Sequence, residues 1–321
     1  MSTACWKPGC CYGRSALLWR TERTGNRDLI ELRDLQLLSA LARHRHFAKA
    51  AEDCGISQPA FSMRIRNLEE RLGVTIVRRA NRFQGLTEEG EMIVRRARRI
   101  LGDAKALEQE VAAVRGEISG ALILGVIPTA LAFTGRLVRR LHQAHPRIVA
   151  RIDSMSSTAI QQGLDEGTID AGITYGDSIG TDLRHVQPLY EETYVLLVPA
   201  HLTEVTGPIP WARVADFPLC LLEPQMQNRR ILDRIFAEQG LHPRIVAETS
   251  GFTAAMVMAR EGLAAAVVPR VLVRALGDLR GTKVLPLVEP EVSKPIALAT
   301  LDRDPELPTV TALRQVVASL R

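Results

Sequence analysis

Residues 47–73 read FAKAAEDCGISQPAFSMRIRNLEERLG, and this stretch decides the architecture. Its first part, Phe47 to Cys54, forms a short helix whose Ala48, Ala50 and Ala51 are small enough for close helix packing. Gly55 supplies the left-handed position that ends a helix sharply. Ser57 is a good N-cap and Pro59 is tolerated in a first turn, so another helix starts at Gln58 and runs to about Leu72. Along it Phe61, Ile65, Leu68 and Leu72 recur at helical spacing and face a core. Gln58, Pro59, Ser62, Met63 and Arg66 are left on the outer face. Upstream, Leu35, Leu38, Leu41 and Ala42 mark a helix from Leu32 to Ala42. Two short helices joined by a glycine turn, the second exposing Gln, Ser and Arg near its start, describe a helix-turn-helix. Gln pairs with adenine, Arg with guanine or phosphate, and Ser with a base or a phosphate. After Gly73, the stretch Val74–Val77, the turn 78–84 and Leu86-Thr87 read as a small wing. There Arg78, Arg79 and Arg82 stand where they clamp backbone or enter a minor groove.

The charge distribution agrees. The chain has 321 residues and a net charge of +5. Residues 31–116 carry 16 basic and 12 acidic groups, whereas residues 117–321 carry 20 basic and 22 acidic ones. A basic N-terminal segment on a slightly acidic body suits nucleic-acid contact by one module only. Residues 1–30 hold Cys5, Trp6, Cys10, Cys11 and scattered arginines without an apolar h-region, so they read as a disordered extension and not as a secretory signal. Cys54 and Cys220 are isolated, which leaves neither a disulfide framework nor a CxxC metal spacing. The longest apolar run, Ala121 to Phe133, is broken by Gly125 and Pro128 and is too short for a transmembrane helix. The reading is therefore of a cytoplasmic protein with no membrane partner.

Thr87 caps a long helix with Glu88 and Glu89 in its first turn. Downstream, Ile93, Ala97, Ile100, Ala104, Leu107, Val111 and Val114 alternate spacings of four and three, a heptad seam that predicts a coiled-coil homodimer. Arg95, Arg96, Arg98 and Arg99 flank it, either as solvated charges or as extra contacts to a DNA backbone. Gly116–Gly120 is a hinge. Beyond it strand-like runs alternate with helical ones, which implies an α/β unit with largely parallel sheets. Ligands in such units bind at the carboxyl ends of strands, where helix N-termini present free N–H groups. Those ends here carry Thr129; Ser154, Ser156 and Ser157; Tyr175; Gln225 and Asn228; and Thr249 and Ser250. Hydroxyls, amides and helix N-termini converging on a cleft favour a small anionic or carboxylate effector. Arg229 and Arg230 either reinforce that preference or are surface charge.

The string Phe47-Ala48-Lys49-Ala50-Ala51, then Ser57-Gln58-Pro59-Ala60-Phe61-Ser62, Ile65, Leu68-Glu69, Leu72-Gly73, Arg79 and Leu86-Thr87-Glu88-Glu89-Gly90 resembles LysR-type transcriptional regulators. The resemblance implies that Gln58, Pro59, Ala60 and Ser62 contact DNA in the major groove and that Arg82 approaches the minor groove. It implies an imperfect palindrome of T-N11-A type and a homotetramer built as a dimer of dimers. RNA polymerase is then a further candidate partner. Two departures bear on base preference: Met63 stands where a basic or polar residue is usual, and Phe83 replaces the glycine that usually follows the wing arginine. The segment Leu222–Ile231 also resembles a sub-branch found beside formate dehydrogenase genes.

The expected fold is a multidomain α+β chain. Residues 31–89 form a winged helix-turn-helix, residues 90–116 a coiled-coil linker helix, and residues 117–321 a two-lobed α/β sensor like periplasmic binding proteins. The resemblance puts two crossovers near Val198 and Val268, giving lobe I residues 120–197 and 269–321 and lobe II residues 198–268. Mechanistically, ligand between the lobes shifts subunit geometry and so promoter binding. An enzyme is excluded because the sequence holds no GxxxxGK[ST], GxSxG or HExxH motif. A transporter's solute-binding protein would need a signal peptide and would lack residues 31–115. A redox sensor needs two reactive cysteines, and Cys220 stands alone in the sensor. No cofactor is expected.

Overall fold

The structure is a computed structural model that describes residues 30–79, 83–114, 118–180 and 184–320. Residues 1–29 of the expected extension therefore fall outside the described residues. The chain divides into two compact units at Val94 and Arg95.

The first unit contains α1 (Leu32–His44), α2 (Phe47–Asp53), α3 (Gln58–Leu72), β1 (Val77–Arg79), β2 (Phe83–Leu86) and the start of α4 (Glu88–Val114). Ser57 caps α3 by accepting from the Ala60 amide at 3.4 Å, and Pro59 lies in the first turn. Gly55 takes φ +67° after α2, as the left-handed turn requires. Phe61, Ile65 and Leu68 of α3 are buried with Leu37, Leu38 and Leu41 of α1 and Ala50 and Ala51 of α2. Leu72 is half-buried against the same core. Each large apolar side chain buried in this way stabilises the fold by about 1.5–3 kcal/mol.

Polar contacts then fix the angles between helices. Asp34 on α1 is only 2% exposed. It accepts from Arg64 Nε at 3.2 Å and from Arg71, both on α3. Glu69 Oε1 accepts from the amides of Ile76 and Val77 at 2.9 and 3.0 Å, which ties α3 to the wing. Thr87 Oγ1 accepts from the Gly90 amide at 2.9 Å and donates to the Thr75 carbonyl at 2.6 Å. It caps α4 and anchors it to the segment that leads into β1. Gly90 is required there, because a Cβ would lie 2.2 Å from the Ile76 carbonyl oxygen. The wing strands β1 and β2 pair antiparallel, and the first of them starts at Val77, three residues later than the expected Val74.

The second unit runs from the rest of α4 through β3 (Gly120–Val126), α5 (Leu131–Ala144), β4 (Ile148–Ser154), α6 (Ser157–Glu166), β5 (Ala171–Tyr175) and β6 (Arg184–Pro199). It continues with β7 (Ile209–Pro210), β8 (Pro218–Leu222), α7 (Gln227–Glu238), β9 (Arg244–Thr249) and α8 (Phe252–Arg260). The remainder is β10 (Ala266–Pro269), α9 (Arg270–Leu276), β11 (Thr282–Val288), β12 (Ser293–Leu301) and α10 (Pro308–Ala318). Strands β4, β3 and β5 are parallel, as alternation predicts. β12 then inserts antiparallel between β5 and β6, so the sheets are mixed and not largely parallel.

The lobe boundaries also differ from the expected ones. The first half of β6 pairs with β12, whereas Tyr194–Pro199 pair with β10 and β11. Residues from Tyr194 to Leu287 build the second lobe's core, and residues from Ile296 onward rejoin the first. The crossovers thus lie at Glu192–Tyr194 and between Val288 and Ser293, not near Val198 and Val268. The physical reason is that one long strand, β6, serves both sheets, so the chain passes between lobes inside a strand, at the polar residues Glu191 to Thr193, and not at a strand end.

Candidate functional site

On the first unit the outer side of α3 carries Gln58, Pro59, Met63 and Arg66 exposed, with Ala60 and Ser62 half-buried. Met63 is 60% exposed, a large apolar side chain at the surface. Arg78 on β1 is exposed. Arg79 lies on β1, and Arg82 lies outside the described residues. Charge counting alone credits residues 58–82 with six arginines. Two of them, Arg64 and Arg71, are engaged with Asp34, so the outward positive charge is smaller than the sequence implies. This surface matches a helix N-terminus and its polar side chains offered to a duplex groove.

The α4 seam is divided. Ile93 packs against the first unit's core and Ala97 is 1% exposed, so these two are covered by their own chain and do not form part of an open seam. Ala104 is half-buried. Ile100, Leu107, Val111 and Val114 are 46%, 62%, 51% and 89% exposed. The opposite side of α4 is docked on the first lobe. Ala106 joins that lobe's core, Lys105 pairs with Asp170 at 2.8 Å, and Gln109 Oε1 accepts from Thr309 Oγ1 at 3.1 Å. Arg98, one of the flanking arginines, is buried against Glu166 at 3.2 Å, whereas Arg95, Arg96 and Arg99 are exposed. Nothing in the heptad spacing signals this second, intramolecular face.

In the second unit the strand ends meet at a buried polar cluster. Thr129 follows β3 in a short 3-10 turn, Tyr175 closes β5, Glu192 and Tyr194 lie on the shared strand β6, and Asn228 lies in the first turn of α7. All five are buried, with Glu192 1% exposed. The hydroxyls of Tyr175 and Tyr194 both donate to Glu192 Oε1 at 3.1 Å. Glu192 Oε2, Thr129 Oγ1 and both amide atoms of Asn228 reach no partner with hydrogen-bond geometry. Thr129 and Asn228 nonetheless bear on the Tyr175 hydroxyl electrostatically, which puts groups from both lobes around one point. Burial pushes the Glu192 carboxyl up to about 7, against the opposing pull of the neighbouring Thr129, Tyr194 and Tyr175 hydroxyls. Burial and then the Glu192 charge raise Tyr175, Tyr190 and Tyr194 above the ordinary phenol range.

The structure gathers Thr129, Tyr175 and Asn228 from the anticipated set. Ser157 stands on the flank, accepting from Thr174 Oγ1 at 2.9 Å. Ser156 is a helix cap, accepting from the Ala159 amide at 3.2 Å. Thr249 accepts from the Gly251 amide at 3.4 Å. Ser154, Gln225 and Ser250 are exposed, and Gln225 bonds Glu223. Arg229 does not reinforce an anion site. It is buried and engaged with Asp233 at 2.8 Å, Glu248 at 2.7 Å and the Leu222 carbonyl at 2.7 Å. Arg230 is on the surface. Sequence reasoning missed Glu192, Tyr190 and Tyr194 as a group. Their signal is a period-two run, Tyr190, Glu192, Tyr194, which puts one acid of the Glu191-Glu192 pair on the same side as the apolar segment that ends at Pro199.

Among the described residues no helix is long and apolar enough to cross a membrane, and no cluster of His, Cys, Asp and Glu is built to hold a metal.

Comparison with known proteins gives two family matches: the LysR substrate binding domain over residues 115–320 and the bacterial regulatory helix-turn-helix protein, lysR family, over residues 32–91. The chain is 30% identical over 272 residues to the DNA-binding transcriptional dual regulator OxyR of Escherichia coli, spanning 84% of this chain and 88% of that protein. It is 29% identical over 280 residues to a hydrogen peroxide-inducible genes activator of Haemophilus influenzae, covering 84% and 90%. A solved full-length OxyR variant from Pseudomonas aeruginosa superposes with a TM-score of 0.70 at 26% identity, covering 91% of this chain and 95% of that one.

Proposed function

Since this chain belongs to the LysR family of DNA-binding transcriptional regulators with an effector-binding domain, and not to an enzyme family, we propose that a small carboxylate bound between its lobes controls promoter binding. The single observation that carries this reading is the set of buried, unpartnered polar atoms on Thr129, Asn228 and Glu192 where the lobes meet. Burying such groups without partners costs about 1–3 kcal/mol each, so the arrangement is favourable only when something else supplies the bonds. The N-terminal turns of α6 and α7 add partial positive charge, which favours a carboxylate over a neutral ligand.

Formate is the carboxylate we infer. The support is the segment Leu222–Ile231, which resembles a sub-branch found beside formate dehydrogenase genes and which forms the end of β8, the following loop and the first turns of α7, including Asn228. A peroxide-responsive reading, drawn from the relatives' names, has less support. Cys220 is the sole cysteine in residues 117–321, it is 1% exposed, and burial raises its thiol above the ordinary range. The thiolate is the reactive form, so such a thiol is a poor nucleophile.

On this reading Ile100, Leu107, Val111 and Val114 meet the same residues of a second copy in a coiled coil, two such dimers form a homotetramer, and the outer sides of paired α3 helices read a T-N11-A palindrome in the cytoplasm. RNA polymerase is the further partner through which binding alters transcription. The test is fluorescence anisotropy of the full chain on its own upstream region and on a scrambled duplex, with and without formate, beside sedimentation of the free protein. Preference for the upstream region, altered by formate in an assembled protein, is the expected result. A monomer indifferent to both duplexes would overturn the reading.

A further inference from the structure

The cleft floor poses an electrostatic problem for an anionic ligand. Glu192 is a buried acid at the point where the lobes meet, and no ion pair reaches it among the described residues. A carboxylate arriving beside it would place two negative charges in a site of low polarity, where only one is tolerable.

The groups around Glu192 do not supply the missing positive charge. From β5 it faces Tyr175, and on its own strand Tyr190 and Tyr194. Thr129 and Asn228 are neutral. Its register partner on β12, Lys294, is engaged with Asp177 at 3.4 Å. A hollow of about 290 Å³ borders Glu192 and is lined also by Glu191, Arg136, Arg270 and Arg274. Arg136 and Arg274 are exposed, and neither they nor Arg270, whose buried Nε has no partner, forms an ion pair with Glu192 among the described residues. Arg229, the basic residue nearest to Asn228 in the sequence, is consumed by Asp233 and Glu248.

We propose that Glu192 is the specificity-determining group of the cleft and that the site takes up its carboxylate ligand together with one proton. The proton comes from solvent and is held on Glu192 Oε2, the oxygen without a protein partner, which then donates to a ligand oxygen. Asn228 Nδ2 and the Thr129 hydroxyl donate to the same ligand carboxylate. Glu192 Oε1 remains an acceptor for the two tyrosine hydroxyls, so the acid is bonded at both oxygens and the cluster holds one negative charge. The raised titration of Glu192 puts the required protonation within the physiological range. This inference rests on the effector reading given above and specifies the charge state in which that effector binds.

The test is calorimetric titration of sodium formate and sodium acetate into the full chain at pH 6 and pH 8, each in two buffers of different ionisation heat. For a group titrating near 7, wild-type affinity falls about tenfold between the two pH values, and close to one proton is absorbed per ligand at pH 8. Glu192→Gln is neutral at both, so its affinity is the same at pH 6 and pH 8 and no proton is absorbed. Tyr194→Phe keeps the proton uptake and moves its midpoint upward, because the charged carboxylate loses a donor; it also serves should the first variant fold poorly. Carboxylate binding with no proton uptake in the wild type, or an unchanged pH dependence in Glu192→Gln, overturns the proposal while leaving the effector reading intact. Absence of binding by both probes at both pH values overturns the effector reading and this inference with it.

Discussion

Two buried acids lie at equal depth in this protein and do opposite things. Asp34, in the helix-turn-helix, is 2% exposed and held between Arg64 and Arg71. Glu192, in the sensor, is 1% exposed and held by tyrosine hydroxyls on one oxygen alone. The first is a finished structure: every charge has its counter-charge, and the angle between α1 and α3 is fixed. The second is incomplete within the protein. A buried carboxylate without a cation shifts its titration toward neutrality, and a buried acceptor without a donor selects for a ligand or a proton that completes it. Depth of burial therefore does not separate a structural charge from a functional one. The count of partners does.

Removing each acid breaks the comparison most directly. Asp34→Ala takes away the carboxylate that two arginines share, and the first unit loses about 3 kcal/mol in chemical denaturation, towards the lower end for buried pairs because both arginines are partly exposed. A loss below about 1 kcal/mol would make Asp34 no more structural than a surface acid. Glu192→Gln has the opposite sign. The folded carboxyl titrates at about 7 against an ordinary 4.5, so its stabilising contribution is complete below pH 4.5 and is lost as pH rises through 7. The glutamine variant lacks that loss. It matches the wild type at low pH and exceeds it at pH 8, by an amount bounded at about 3 kcal/mol. Parallel stability curves for the two proteins across pH 4 to 8 would remove Glu192 from the list of unfinished groups.

Smaller effects sharpen the contrast between the two units. Gln58→Ala relaxes base preference by about 1–3 kcal/mol at one position of the operator, whereas Arg82→Ala weakens binding to all duplexes and lowers the salt slope by about 1. Anisotropy against single-base operator variants and across a salt series separates them; uniform weakening by Gln58→Ala would mean that it only positions α3. The least effect is that of Tyr194→Phe, a net cost of about 1 kcal/mol at pH 8 from one lost hydrogen bond, read by thermal denaturation. An equal loss at pH 5, where Glu192 is neutral, would show that the bond does not depend on the charged acid.

The helix-turn-helix was legible because its code is local. Ser57, Pro59 and the spacing of Phe61, Ile65 and Leu68 specify a capped helix and its buried side within one segment, and the outer residues follow by subtraction. The apolar stripe of α4 was legible for the same reason, except that Ile93 and Ala97 are covered by their own chain and the side bearing Lys105, Ala106 and Gln109 docks on the first lobe. Helical spacing states which residues share a side and is silent on what covers them. Thr129, Tyr175 and Asn228 came from a rule about strand ends, and the same rule put forward Ser154, Gln225 and Ser250, which are exposed.

What the sequence by itself determined is thus the set of faces: the side of α3 turned outward, the apolar stripe on α4, and the alternation that makes the sensor an α/β unit. Only the tertiary structure decided which charges are spent and which remain. Arg64, Arg71 and Arg229 are cancelled by acids distant in sequence or on a neighbouring turn, the crossovers fall within and beyond strands that periodicity treats as uniform, and Glu192 meets Tyr175 and Asn228 from other elements. Helix and strand faces arise from interactions spanning a few residues, whereas the state of a buried charge depends on every group that folding brings to it.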